Sequence, residues 1–121
     1  MLFTESLQKN HAFRRVYSGK NAVANRLLVL YKRPNGLDKN RLGVSASRKV
    51  GKAVVRNRAK RLVKEQYRLA EPRLKRGYDL VVVVRPAVAE LPQSSAFAEV
   101  GRALLHVLDK QALREKEAAH A

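Results

Sequence analysis

The stretch YDLVVVVRP, residues 78–86, constrains the fold more than any other. Apolar residues run unbroken from Leu80 to Val84, and all but the first are β-branched valines. Such side chains favour extended backbone. A strand with one wet face alternates apolar and polar residues; a strand covered on both faces reads as a continuous apolar run. The segment therefore predicts a strand buried on both faces.

Two more strands fit the pattern. Residues 24–33, ANRLLVLYKR, read as one. In RLGVSAS, residues 41–47, Leu42, Val44 and Ala46 face one way, while Arg41, Gly43, Ser45 and Ser47 face the other. Between them PNGLDKN, residues 34–40, carries Asn-Gly turn chemistry, so a hairpin is expected. Residues 6–18 read as a short helix with Ser6 as N-cap and Gly19 as its stop, and Phe13, Val16 and Tyr17 share a side. A longer helix over 53–70 gathers Val55, Ala59, Leu62, Val63, Gln66, Leu69 and Ala70 on one stripe and ends before Pro72. A last helix starts at Pro92 and Ser94 or Ser95, with Phe97, Val100, Leu104, Val107 and Leu108 as its core face.

The order helix, strand, strand, helix, strand, helix predicts an α+β fold: a two-layer sandwich of a small mixed sheet with three helices. The helix between strands 41–47 and 79–85 allows these two to be parallel neighbours. At 121 residues and 45% apolar, the chain is expected to form one domain over 1–121, with a single modest core and a frayed tail at REKEAAHA.

The long helix carries a second message. Between residues 56 and 68 it holds six basic residues and one acid. At about 100° per residue, Arg56, Lys60 and Lys64 form an i, i+4 row, with Asn57, Arg61 and Arg68 beside it and Arg58 at the far edge of the apolar stripe. Like charges so spaced cost a helix roughly 0.2–0.5 kcal/mol per pair. Glu65 is placed to offset Arg61 and Arg58, but nothing nearby offsets the row. Arg48, Lys49 and Lys52 add charge at the helix N-terminus, where backbone N–H groups also favour an anion. Over the whole chain Lys and Arg outnumber Asp and Glu by 26 to 10, for a formal charge of +16. That excess opposes compaction and implies a polyanionic partner, nucleic acid first. Single-stranded RNA is gripped by cations together with stacking aromatics. Phe13 and Tyr17, spaced i, i+4, and Tyr31 on the nearby strand are the candidates for stacking, with ordinary core packing as the alternative.

The blocks AFRRVYSGK, ANRLLVLYK, RLGVSASRKVGKAVVRNRAKRLVKEQYR and YDLVVVVRP, in this order and spacing, resemble the protein component of bacterial ribonuclease P. The resemblance runs from about residue 8 to residue 110, and the RNR-containing block is its most specific part. Tyr17 stands where relatives can carry Phe, and stacking survives the change. The resemblance implies a subunit that joins a large catalytic RNA in the cytoplasm and helps remove the 5′ leader of precursor tRNA. It implies that the RNA, with bound Mg2+, does the chemistry, and that no other protein partner is obligatory. By position it makes Phe13, Tyr17 and Tyr31 leader-cleft residues and extends the cleft to Ser47, Lys49 and Arg85. Arg56, Asn57, Arg58, Lys60, Arg61 and Lys64, with Arg68, resemble the RNR surface that faces the RNA subunit, and Arg48 and Lys52 extend it. It further implies a short strand near 21–24 and a left-handed strand–helix–strand crossover, against the usual right-handed rule.

The residues agree that the protein is no autonomous nuclease. Protein-catalysed phosphodiester hydrolysis needs clustered carboxylates holding metal, or a His pair. The acids here are scattered apart from Glu115 and Glu117, and His11, His106 and His120 have no ligand spacing. Cysteine is absent, which excludes disulfides and thiolate zinc sites and points to a reducing compartment. The N-terminus lacks a signal-peptide core, and no run is long enough to span a membrane. Two rivals remain from composition: a ribosomal-type RNA-binding protein, and a DNA-binding regulator using the 53–70 helix. The second requires a helix and tight turn before that helix, where an alternating strand is expected instead. A membrane-surface role would require the apolar stripe that the core needs.

Overall fold

The computed structural model describes residues 1–115. Its elements are β1 (Thr4–Ser6), α1 (Asn10–Ser18), β2 (Ala22–Ala24), β3 (Leu28–Pro34), β4 (Asn40–Ala46), α2 (Ala53–Ala70), β5 (Tyr78–Val84) and α3 (Gln93–Lys110), with short 3-10 turns at Glu71–Arg73 and Pro86–Glu90. One sheet contains all five strands in the order β1-β4-β5-β3-β2. The apolar run is its central strand. Leu80, Val82 and Val84 enter the main core with α2 and α3, while Val81 enters a smaller cluster with Leu7 and Val16, against which Val83 packs. Each such side chain contributes about 1.5–3 kcal/mol on burial.

The expected parallel pairing of β4 with β5 is present, from Arg41↔Asp79 to Ala46↔Val84. The expected hairpin of β3 with β4 is not. β5 lies between them, antiparallel to β3 from Leu28↔Val84 to Pro34↔Tyr78. The run that needs both faces buried also takes the slot with both edges paired. The 34–40 loop therefore spans two strand spacings, each about 4.8 Å, instead of turning back on itself. Asn35 holds it there: its N–H donates to the Gly77 carbonyl, its Nδ2 donates to Asp79 Oδ1 and the Lys39 carbonyl, and its Oδ1 accepts from the Leu37 N–H. Gly36 follows at φ 72°, a left-handed conformation that favours glycine.

The two-layer expectation describes the sheet with α2 and α3, and α1 adds narrow cover on the opposite face. α1 starts at Asn10 with Lys9 at the N-cap, and Ser6 instead ends β1, a strand with too few residues to show alternation. The α2 bounds match the expectation. Its inner stripe differs: Tyr67 is fully buried and Leu69 is 54% exposed. Phe97, expected in the α3 core face, is 42% exposed. The core also reaches past residues 8–110 at both ends, taking in Phe3 and Leu113. Residues 111–115 fold back, with a Leu74↔Arg114 bridge and an Arg114–Asp109 ion pair. The rest of the expected frayed tail, 116–121, lies outside the described residues.

A buried polar network fixes the edge nearest α2. Asn40 donates to the Lys75 carbonyl and the Tyr67 hydroxyl, and accepts from the Tyr78 N–H. Tyr67 shares a 2.9 Å hydrogen bond with Thr4. Glu71, only 1% exposed, accepts from the N–H groups of Leu2 at 2.6 Å and Phe3 at 3.2 Å. Burial alone would raise its carboxyl. Hydrogen bonds from Thr4 and from the Leu2 and Phe3 backbone, with the N-terminal ammonium, outweigh burial and hold it below its ordinary value. A depressed carboxyl contributes stability at neutral pH that is lost as pH falls through its folded value. Glu71→Gln should therefore lower stability by about 1–3 kcal/mol at neutral pH. It should also flatten the loss of stability as pH falls below the ordinary carboxylate range, read by urea unfolding at each pH. An unchanged acid limb would exclude Glu71 as its source.

Candidate RNA-binding site

Two surfaces meet at Lys60 of α2. The first lies on the sheet face under α1. Val16 anchors α1 there and is fully buried. Phe13 and Tyr17 are half-buried beside it, with ring centroids 6.5 Å apart. Tyr31 projects from β3 and meets the Tyr17 ring edge-on at 4.8 Å. An open cleft of about 640 Å³ runs past this aromatic wall, lined by Leu7, Gln8, Asn10, Phe13, Arg14, Tyr17, Val44, Ser45, Ala46 and Lys60. Its chemistry is two aromatic rings, two cations and several amide or hydroxyl groups. That set suits an extended single strand, whose bases offer π faces and whose phosphates need charge.

The second surface is the outer face of α2. Asn57, Lys60, Arg61 and Lys64 line a shallow depression of about 330 Å³. Arg58 stands at the rim of a small apolar notch with Val55, Leu62, Val88 and Leu91. The expected offset of Arg61 and Arg58 by Glu65 does not occur: Glu65 pairs with Arg68, at 2.6 Å from Nη2. That hydrogen-bonded guanidinium holds the Glu65 carboxyl below its ordinary value. Arg68 is thus already neutralised, whereas Arg56, Arg58, Lys60, Arg61 and Lys64 have no acidic partner among the described residues. Arg56 Nε is shielded from solvent with no acceptor among them.

Lys60 borders both surfaces, a placement its position in the basic row did not reveal. Tyr31 backs the wall without lining the cleft. Ser47, Lys49 and Arg85 lie past the carboxyl ends of β4 and β5, outside the cleft lining. There the Ser47 hydroxyl accepts from the Lys49 N–H, and Arg85 Nη1 donates to the Asn25 carbonyl. Arg48 and Lys52 are exposed at the entry to α2, with Lys52 as its N-cap. Sequence reasoning missed Gln8, Asn10, Arg14 and Ser45 as cleft lining. Ser45 was legible as an outward position of an alternating strand, and Arg14 as the neighbour of Phe13; Gln8 and Asn10 carry no periodic signal.

Among the described residues no three His, Asp or Glu side chains gather as a metal site. The buried acids are committed: Glu71 to the N-terminal backbone, Asp79 to Arg41 through bonds of 2.7 and 2.9 Å. His106 contacts Asn25. No helix is long and apolar enough to cross a membrane among the residues described.

Residues 1–108 match the family model for ribonuclease P. The chain belongs to the ribonuclease P protein family. It is 45% identical over 119 residues to the ribonuclease P protein component of Clostridium perfringens, covering 93% of this chain and 92% of the relative. It is 42% identical over 107 residues to that of Alkaliphilus oremlandii, covering 88% and 90%. The solved ribonuclease P protein of Staphylococcus aureus superposes with a TM-score of 0.80 at 31% identity, covering 91% and 97% of the two chains. The Thermotoga maritima protein gives 0.77 at 32%, covering 88% and 96%. Membership makes the chain an RNA-binding protein subunit of ribonuclease P, a ribonucleoprotein of tRNA processing, and decides against the ribosomal and DNA-binding rivals.

Charge on α2 makes a measurable forecast for the ribonuclease P RNA. With roughly six phosphate contacts, affinity should fall about a thousandfold between about 50 and about 200 mM salt. Arg61→Ala should lower the salt slope by about one, while replacing Glu65 and Arg68 together by Ala should leave it unchanged. Filter binding across a salt series reads both, and a flat dependence would exclude charge as the main contact.

Proposed function

We propose that the protein lays the 5′ leader of precursor tRNA in the α1–β4 cleft while the outer face of α2 docks on the catalytic RNA. The observation that carries this reading is the junction of the two surfaces at Lys60: an aromatic, single-strand-sized cleft opens directly onto a helix face whose cations lack acidic partners. Phe13 and Tyr17 offer stacking faces, Arg14 and Lys60 meet leader phosphates, and Tyr31 buttresses Tyr17. Arg56, Asn57, Arg58, Lys60, Arg61 and Lys64 meet the RNA subunit, with Arg48 and Lys52 extending that contact past the helix N-terminus. Arg68 has a structural part, through Glu65. Ser47, Lys49 and Arg85 serve a leader that continues beyond the cleft.

Mg2+ belongs in this reading to the RNA, whose phosphate oxygens suit a hard cation. The protein's cations lower repulsion between two polyanions, which lets the ion occupy RNA sites at lower concentration. The reaction site is the cytoplasm, where precursor tRNA and the RNA subunit meet.

Cleavage of a 5′-extended precursor tRNA at low magnesium tests the proposal, using bacterial catalytic RNA with and without the protein and the protein alone. Rescue is expected only when both are present; cleavage by the protein alone would overturn it. Phe13→Ala should weaken holoenzyme binding to the precursor about tenfold, the scale of one lost base stack, and leave mature tRNA nearly untouched. Equal losses would mark Phe13 as core and remove the leader from the cleft.

A further inference from the structure

We propose that Gly43 is a positioning residue for leader recognition: the missing side chain forms a socket that holds the Phe13 ring as a wall of the cleft. This rests on the leader reading above and adds a residue to it. Gly43 lies on β4, paired with Val81 of β5. A Cβ at residue 43 would stand 2.4 Å from Phe13 Cζ, 2.7 Å from Cε2 and 3.1 Å from Cε1. Those distances set the Cβ above the ring plane, over Cζ, so the far end of the ring rests on the bare strand by one of its faces. A ring seated by one face on the strand keeps the opposite face for the cleft it lines, and a face is what a base stacks upon.

The socket is specific to this ring. Cζ lies on the axis of the Cβ–Cγ torsion, so flipping the ring does not move it away from residue 43. Only a χ1 change or a shift of α1 relieves the contact, and α1 is held by fully buried Val16. The other residues of that strand face flank the socket two positions away. Arg41 is tied to Asp79, and Ser45 lines the cleft. No positive φ is involved, so an alanine suits the backbone and fails only against the ring.

The test is a double-variant cycle in the reconstituted holoenzyme: wild type, Gly43→Ala, Phe13→Ala and the pair. Affinities are measured for 5′-extended precursor tRNA, mature tRNA and the RNA subunit. Gly43→Ala is expected to lose about tenfold for the precursor, matching a lost stack, with mature tRNA and RNA-subunit affinities unchanged. In the Phe13→Ala background it should cost nothing further, because the clashing atoms are gone. An undiminished cost in that background, a wild-type precursor affinity, or equal losses for precursor and mature tRNA would overturn the proposal. If Gly43→Ala alone fails to fold, the pair should fold again; a pair that also fails would overturn it. A selective Phe13→Ala with a silent Gly43→Ala removes Gly43 alone, whereas an unselective Phe13→Ala removes the leader reading and this inference with it.

Discussion

β5 must be buried on two faces and paired on two edges, and the architecture is arranged around that demand. Its even-numbered side chains complete the large core under α2 and α3; Val81 completes the small one under α1. Removing water from both sides of one strand couples the cores: neither cover can be lost without exposing part of β5. The small core is what fixes α1, and α1 carries Phe13, Arg14 and Tyr17. The cleft is therefore assembled as a by-product of covering the second face of the central strand.

The same constraint explains where the sequence was legible and where it misled. Long periodic segments were readable: α2 from Ala53 to Ala70, β5, and the parallel pairing of β4 with β5 across the intervening helix. The hairpin was not, because Asn-Gly chemistry reports a local turn and carries no information on a third strand entering between its arms. Tyr67 was invisible as core because a hydroxyl reads as surface until Thr4 and Asn40 are seen to satisfy it. Phe97 erred the other way, its ring left 42% exposed on α3.

At the site, residue type was easier to read than partnership. The aromatic trio does gather. The excess of cations on α2 was plain, but which cation the lone acid would take was not: Glu65 is i, i+4 from Arg61 and i, i+3 from Arg68, and geometry favours the latter. The cleft lining drew on β1's tail, α1, β4 and α2, segments up to about fifty positions apart in the chain, so no local window contained it.

Lys60 has a consequence beyond placement. With both surfaces taking polyanions as proposed, one ammonium bordering the two is a shared counter-ion. Whichever strand approaches first draws on its field, and the second meets a partly neutralised group. Binding at one surface then alters the free energy of binding at the other by an equal and reciprocal amount, whatever the order of arrival. Screening sets its reach, about 10 Å at 0.1 M salt. Ionic strength thereby tunes how strongly the two surfaces sense each other, separately from how tightly either one binds.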